Sequence, residues 1–560
     1  MKVLTSAQMR EIDRRAMAGA GVPAIPGSRL MANAAAAVVQ VLERDFASAL
    51  RGPLLVLCGR GNNGGDGLVV TRLLAARGVQ AQAVLLGAPE SLQGDAAEAW
   101  QALVAAAPQC AGVAEDSAAW SRWRSRLAGA ALVLDAIFGT GLDAPPRGLA
   151  AAVIADANEL ATPAARIAVD LPSGLPADGE VAAPWPQWDW GSVFRAAATI
   201  TFAAPKLGQL TPRGAAYCGR LYIMPIGTPL PLLADPALAV ELTTAAAIRR
   251  LAAPRSPDSH KGSFGHVLIV GGSLGKSGAV AMAAEAALRS GAGLVTAAVP
   301  RSVQALVAAY RPEIMTEALA ESSDGTLASS VASPDQFRAL AAGKTVLALG
   351  PGLSTHPEAA AAARGLIAAT PLPWVLDADG LNAFSQHRDA LRAGAAGGIV
   401  TPHPGEMARL MNLSTAAVQM RRLPLALELA RASGAVVVLK GYRTVIAAPS
   451  GRAWINPTGN PGMATGGSGD ILTGVVAGLL AQFAGQDLGL LAAAAAYLHG
   501  LAGDFAAATL GPMPLCATDI TAHLPAALRR IAAAPAEEPP AMVLDWTGAE
   551  RAFPLSSSAS

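Results

Sequence analysis

The sequence predicts an α/β protein built as two successive three-layer domains, and three observations carry that prediction. At 560 residues the chain exceeds what one hydrophobic core organises. Short apolar runs rich in Val, Leu and Ile, each ending in a glycine or an acidic loop, alternate with helical stretches in both halves, which is the pattern of parallel sheets. Between the halves, the proline-punctuated stretch 227–232 and Asp235-Pro236 read as a linker, placing a boundary near 235.

Composition excludes several classes. With 42 basic and 41 acidic residues the chain has no overall field to draw nucleic acid. Cys58, Cys110, Cys218 and Cys516 are widely spaced and form no Cys-x-x-Cys pair, so they read as reduced cytoplasmic thiols and not as a zinc site. Mean hydropathy is +0.38, but the longest alanine-rich run, Leu488 to Gly503, contains His499 and glycines, and it reads as a buried helix with no membrane association. Charges at the start, MKVLTSAQMREIDRRA, stand where a signal peptide needs an apolar core.

Taken in order, Thr5 with Met9, Ile12 and Ala16 begins an amphipathic helix, and a second runs from about Arg29 to Leu42. The strand pattern 53–58 leads into GRGNNGGDG and a helical run, so Gly59-x-Gly61-x-x-Gly64 sits between strand and helix as a dinucleotide fingerprint requires. The next strand, 81–86, ends in Gly87-Ala88-Pro89 without the ribose-binding acid, which disfavours an ordinary redox NAD site. Asn62, Asn63 and Asp66 add oxygen ligands suited to a hard cation beside an anion. Further strands end at Asp135, before Gly139-Thr140-Gly141, and at Asp170, before Leu171-Pro172-Ser173. Ligands collect beyond the carboxyl ends of parallel strands, so these loops should converge, although each aspartate taken singly is as readily a turn residue or a helix cap.

GRGNNGGDG, VLDAIFGTGL, VDLPSG and FAAPKLG, in that order, resemble the NAD(P)HX epimerase domain over about residues 1–230. The resemblance implies a Rossmann-like domain, assigned to 1–235, that binds the hydrated nucleotide. Asn62, Asn63, Gly64, Gly65 and Asp66 and the loop Gly139, Thr140, Gly141, Leu142, Asp143, Ala144 and Pro145 would hold it, with Asp170 as acid/base at its ring. It further implies K+ on Asn63, Asp135 and Ser173. One departure is Ala32 in Leu30-Met31-Ala32-Asn33, where similar proteins have glutamate.

In the second half, the strand 267–270 feeds a glycine loop whose spacing fails the Walker pattern, because Val270 stands where the first glycine should be. Strand–loop units follow at 346–354, 374–384, 399–407 and 436–446, bringing Asp377, Asp379, His403 and Lys440 to strand ends. Asp377 and Asp379 suit either magnesium or a turn cap. The string GNPGMATGGSGDILTG, 459–474, then opens an apolar helix near Ser468 or Asp470. Its free N–H groups and dipole make an anion site that Gly466, Gly467 and Gly469 leave open to phosphate. A carboxylate there repels phosphate, so Asp470 is either an N-cap or a base for a hydroxyl being phosphorylated, held ionised by the helix terminus.

GPGL, DADGLN, TPHPGE, LKG and NPGMATGGSGD resemble the ribokinase-like superfamily, and within it the ADP-dependent NAD(P)H-hydrate dehydratases, over about 240–530. The resemblance implies a ribokinase-like α/β/α domain, assigned to 236–532, in which Ala279, Gly352, His403 and Asp470 contact the hydrated nicotinamide and Asp470 is catalytic. Lys440, Gly441, Tyr442, Arg443, Thr444 and Gly469 would hold ADP with Mg2+. The substrates expected are NADHX, NADPHX and ADP, acted on by a homo-oligomer. Residues 533–560 read as a disordered tail. The competing reading is a ribokinase-type small-molecule kinase carrying a non-catalytic N-terminal binding module.

Overall fold

The computed structural model describes residues 1–161, 164–179, 188–545 and 550–554. The chain divides into two compact units, one of residues 2–238 joined by 539–545 and 550–554, the other of Met1 and residues 239–538.

In the N-terminal unit, β1 (Leu54–Cys58), β2 (Ala81–Leu86), β3 (Ala111–Ala114), β4 (Leu132–Ala136), β5 (Ala165–Val169), β6 (Ala198–Phe202) and β7 (Arg220–Met224) form a parallel sheet in the order β3-β2-β1-β4-β5-β6-β7. Every residue of β1, β4 and β6 is buried, as expected of strands covered by helices on both faces. Strand order reverses between β1 and β4, which opens a crevice at their carboxyl ends. The helix Asn62–Ala75 starts at that crevice and packs tightly on it: a Cβ on Gly64 would lie 1.8 Å from the Gly59 carbonyl oxygen. The first helix, Ser6–Ala18, is closed by a capping box between Thr5 and Gln8 and buries Met9, Ile12 and Ala16, the predicted face.

In the second unit, β8 (Val240–Leu242), β9 (His266–Val270), β10 (Leu294–Pro300), β11 (Met315–Leu319), β12 (Val346–Leu349), β13 (Trp374–Leu376), β14 (Gly398–Val400), β15 (Val436–Leu439), β16 (Val445–Ala447) and β17 (Ala453–Ile455) form one sheet, ordered β11-β10-β9-β12-β13-β14-β15-β16-β17-β8. The seven strands from β11 to β15 in that order are parallel, and β16 is antiparallel to both neighbours. The reversal falls between β9 and β12. The helix Ser468–Gln482 crosses the helix Ser277–Arg289 closely, since a Cβ on Gly474 would lie 2.1 Å from the Ala283 oxygen and one on Gly478 2.1 Å from Ser290 Oγ. The helix Leu488–Leu510 is long and apolar enough to cross a membrane, yet it is the unit's core helix, with Leu491, Tyr497 and Leu501 buried among Trp454 and Ile520, as the sequence predicts.

Two expectations need correction. The segment after 532 is not simply a disordered tail: β18 (Met542–Leu544) pairs antiparallel with β7, β19 (Glu550–Ala552) pairs with β18, and Val543 and Phe553 join the N-terminal unit's core. Apolar side chains offered to an open sheet edge outweigh the tail's polar composition. The proline-rich stretch near 230 also carries a short helix, Leu230–Leu233, whose Leu232 packs with Leu4, Met9 and Ile12.

Candidate active sites

The N-terminal crevice holds a cavity of about 550 Å³. Of the predicted residues, Asn62, Asn63, Asp66, Gly139, Thr140, Gly141, Leu142 and Asp170 line it. Gly64 and Gly65 do not: Gly64 sits against Gly59 and Gly65 against Met31, so these glycines serve packing. Asp143 and Ala144 are exposed and Pro145 is half-buried, all outside the lining. Ala32 is exposed on the helix Gly27–Asp45 and lies off the cavity wall, while Leu30, Met31 and Ala34 of that helix face the cavity.

Asp170 stands just past β5 with φ +60°, a left-handed conformation uncommon for a side-chain-bearing residue. Its backbone is over-determined: the N–H donates to the Ile200 oxygen at 2.8 Å, and the carbonyl accepts from Gln209 Nε2 at 2.6 Å. Oδ1 accepts from Lys206 Nζ at 2.5 Å and from Thr201 Oγ1 at 3.0 Å. Lys206 is buried and also donates to Thr201 Oγ1 at 2.9 Å and to the Phe202 carbonyl at 3.0 Å, so its three protons all have acceptors. Sequence reasoning passed over Lys206, although FAAPKLG contains it. A Cβ on Gly139 would lie 3.4 Å from both Asn63 Cγ and Asp170 Oδ2, so three of the predicted loops do converge.

Asp135 is buried, with Ser173 N and Oγ donating at 2.7 and 2.6 Å and Ile137 N at 3.2 Å. Burial pushes its carboxyl up to about 6 despite those bonds. Asn63 is buried with neither its amide oxygen nor its nitrogen hydrogen-bonded, a costly condition that a ligand would relieve. An amide oxygen, a carboxylate and a hydroxyl are all hard-oxygen donors, so these residue types fit an alkali cation.

In the second unit, the helix Ser468–Gln482 begins at Gly467, whose φ of +92° suits only glycine, and no side chain caps it. Asp470 is in the first turn and not at the cap, so the cap reading of this aspartate fails. A helix terminus favours the ionised form by about 0.3–1 kcal/mol. Burial, and then the carboxylate of Asp377, outweigh that together with Lys440's opposing charge, and Asp470 is raised to about 7.

Lys440, at the end of β15, donates to Asp377 Oδ1 at 2.6 Å, and its Nζ is 3.9 Å from Glu406 Oε2. Burial works against its charge, but the two carboxylates prevail and its pKa is raised. Asp377 Oδ2 accepts from Thr473 Oγ1 at 2.6 Å, so Asp377 caps nothing and instead ties strand, lysine and helix together. Asp379 accepts from Lys276 Nζ at 3.1 Å, Ser354 N at 3.0 Å and Asn382 Nδ2 at 3.2 Å. A Cβ on Gly469 would lie 3.2 Å from Lys440 Nζ, which keeps that approach open to an anion.

Beside this cluster lies a cavity of about 600 Å³ lined by His403, Lys440, Gly441, Tyr442, Thr444 and Gly469 among the predicted residues. Arg443 is buried instead, donating to the Pro457 carbonyl at 3.0 Å, and does not line it. Asn456, Thr458, Asn460 and His499 also line it and had no predicted role. Ala279, Gly352 and Asp470 lie outside that lining, at the strand reversal: a Cβ on Gly352 would be 3.1 Å from Ala279 Cβ. His403 caps its helix, Nδ1 accepting from Gly405 N at 2.9 Å, while its half-exposed ring faces the cavity. Burial, then the charge of Lys440, lower its pKa. Among the described residues no group of three or more His, Cys, Asp or Glu stands together as a metal cage.

Two largely parallel α/β sheets, each with a polar cleft beyond the carboxyl ends of its strands, define a two-domain enzyme, Rossmann-like in its N-terminal unit and ribokinase-like in its second. The family profile described as NAD(P)H-hydrate dehydratase matches residues 267–526, and that described as YjeF-related protein N-terminus matches 27–208. The bifunctional NAD(P)H-hydrate repair enzyme Nnr of Moorella thermoacetica is 44% identical over 536 residues, 95% of this chain and 97% of its own. That of Escherichia coli is 36% identical over 497 residues, 88% of each. The ADP/ATP-dependent NAD(P)H-hydrate dehydratase of Bacillus subtilis, co-crystallised with ATP and Mg2+, is 31% identical and matches 52% of this chain and 99% of its own with a TM-score of 0.44. The chain belongs to the family of bifunctional NAD(P)H-hydrate repair enzymes.

Proposed function

We propose that the second unit dehydrates S-NADHX and S-NADPHX at the expense of ADP, releasing AMP and phosphate, and that the N-terminal unit interconverts the R and S hydrates. The observation that carries the dehydratase reading is Asp470, a carboxylate raised to about 7 in the first turn of an uncapped, glycine-entered helix that also touches the Lys440–Asp377 pair. Water added at C6 of the nicotinamide leaves a hydroxyl that departs poorly. Exchanging hydroxide for phosphate improves the leaving group by roughly ten pKa units. Asp470 accepts the hydroxyl proton as that oxygen attacks the terminal phosphoryl group, and the N–H groups at the helix start, with Lys440, hold the phosphoryl charge. Mg2+ would arrive on the nucleotide phosphates, where few protein ligands are needed.

In the N-terminal unit Asp170 serves as acid/base at the ring, with Lys206 fixing its orientation. K+ would be held by Asn63, Asp135 and Ser173, where it would supply positive charge beside the substrate's phosphates. A dehydratase specific for S consumes only half of a mixed pool, which is the reason for the epimerase. The test is mixed hydrate epimers with ADP or ATP, followed by absorbance recovery and chiral separation. Full recovery of reduced nucleotide supports the reading. A phosphorylated product that persists would establish the small-molecule kinase instead.

A further inference from the structure

Epimerisation at C6 needs more than Asp170. The hydrated ring carbon bears both a hydroxyl and the ring nitrogen. Inverting it by ring opening requires one group to take the hydroxyl proton while another protonates N1. Asp170 has one oxygen engaged by Lys206 and Thr201, leaving the other toward the cavity side of Gly139. A second carboxyl stands on the helix Ser6–Ala18. That helix buries Met9, Ile12 and Ala16, and turns Arg10, Asp13 and Met17, one helical turn apart, to the cavity. Arg10 reaches the Thr140 carbonyl at 3.5 Å, so the helix forms a wall of the site. Asp13 has no hydrogen-bond or ion-pair partner among the described residues, and the buried amide of Asn63, also unpartnered, lines the same cavity.

Resting on the epimerase reading above, we infer that Asp13 is a second catalytic carboxyl, paired with Asp170 across the nicotinamide ring. One carboxylate removes the C6 hydroxyl proton, and the oxygen's electron pair forms the C6 carbonyl. The C6–N1 bond breaks, its electrons passing to N1, which takes a proton from the other carboxyl. Rotation about C5–C6 presents the opposite face. N1 then attacks the carbonyl carbon, its proton returns to the carboxylate that supplied it, and the carbonyl oxygen recovers its own from the first. No oxidant, water or net proton is consumed. Burial, opposed by Lys206 and aided by Asp170, holds Asp13 up to about 6, which brings its protonated form closer to neutral pH than an ordinary aspartate's. The charged groups that line the cavity with it are Lys206, Asp170, Asp66, Asp95, Arg10 and Arg60.

The experiment uses the full-length chain with the R hydrate and ADP. Asp13→Asn should slow R consumption at least about 100-fold, as loss of a general acid/base does, with KM changed less than about threefold. Dehydration of the S hydrate in the same sample reports folding. Asp13→Glu should restore part of the rate and the bell-shaped pH profile that Asp13→Asn loses. In 18O-labelled water the epimerised product should keep its original oxygen. Wild-type rates in Asp13→Asn, or full incorporation of solvent oxygen, would overturn the inference while leaving the epimerase reading intact. A wild-type chain that never consumes R would overturn the reading itself.

Discussion

Lys440 Nζ lies 2.6 Å from Asp377 Oδ1, and the other oxygen of that carboxylate accepts from Thr473 at 2.6 Å, one turn beyond Asp470. A single buried carboxylate therefore ties Lys440, at the end of β15, to the helix that carries Asp470, and its negative charge adds to burial in raising Asp470. In the proposed reaction, nucleotide site and proton acceptor would thus be held in one register by a residue just past a third element, β13.

The base proposed at Asp470 can act only when ionised, so dehydration by the wild type should rise with pH through about 7 and level off above it. Asp377→Asn removes a neighbouring negative charge and frees Lys440, and both changes lower Asp470. The rising limb should move to lower pH, measured as kcat against pH with saturating ADP. An unmoved limb would show that Asp377 does not set the base.

Asp470→Asn should keep nucleotide binding and lose turnover by about 100-fold or more. It also carries a stability signature. A folded-state pKa above the unfolded one means the native state binds the proton more tightly, so this group's contribution is full below about pH 4 and is lost as pH rises through about 7. The variant should therefore melt higher than wild type at pH 8, with the difference vanishing at pH 4. Calorimetry at the two pH values checks it.

Asp170→Ala leaves Lys206 buried without its carboxylate, which costs stability as well as acid/base function. Consumption of R should cease while S is still dehydrated, resolved by chiral chromatography of the remaining hydrate. Loss of both activities would point to unfolding of the chain.

Gly467→Ala places a Cβ 2.6 Å from Met282 Cε at φ +92°. The left-handed conformation alone costs about 1–2 kcal/mol, and the helix start should shift. KM for ADP should rise more than tenfold, with a modest drop in melting temperature. Alanine at Gly394, which lines neither cavity and where a Cβ meets nothing within 4 Å, is the control and should behave nearly as wild type.

Removing residues 539–560 strips β18 and β19 from β7 and takes Met542, Val543, Leu544 and Phe553 out of a buried environment. Phe553 meets the Tyr222 ring edge-on with centroids 5.9 Å apart and lies under Arg44. Side chains of this size contribute about 1.5–3 kcal/mol each, so the loss is on the order of 10 kcal/mol. Epimerisation should fail on mild heating while dehydration of S persists. Equal heat resistance of both activities in the truncated chain would refute the assignment of this segment to the N-terminal unit.

Both sheets were legible because buried parallel strands read as unbroken apolar runs and because glycines mark where helices meet strand ends. Met9, Ile12 and Ala16 gave the buried face of the first helix through helical periodicity alone, and GNPGMATGGSGD located the helix that carries Asp470. The same periodicity was silent about Asp13 and His499 inside helices and about Lys206 and Asn456 next to regular elements, since a polar residue gives no local sign of what it faces. The final strands were hidden for a related reason: three apolar residues amid prolines and serines become a strand only when another strand's open edge receives them.

The sequence by itself determined the two-part α/β architecture, the loops beyond the strand ends and the aspartates those loops carry, because these follow from local pattern and backbone chemistry. Only the tertiary structure decided that Asp470 is raised and not held ionised by its helix, that Asp377 bridges Lys440 to Thr473, that Gly64 and Gly65 pack and do not line the cavity, and that the last segment belongs to the first unit. Each of those depends on desolvation, charge proximity or edge pairing between residues distant in the chain, and such energies exist only once folding has brought them together.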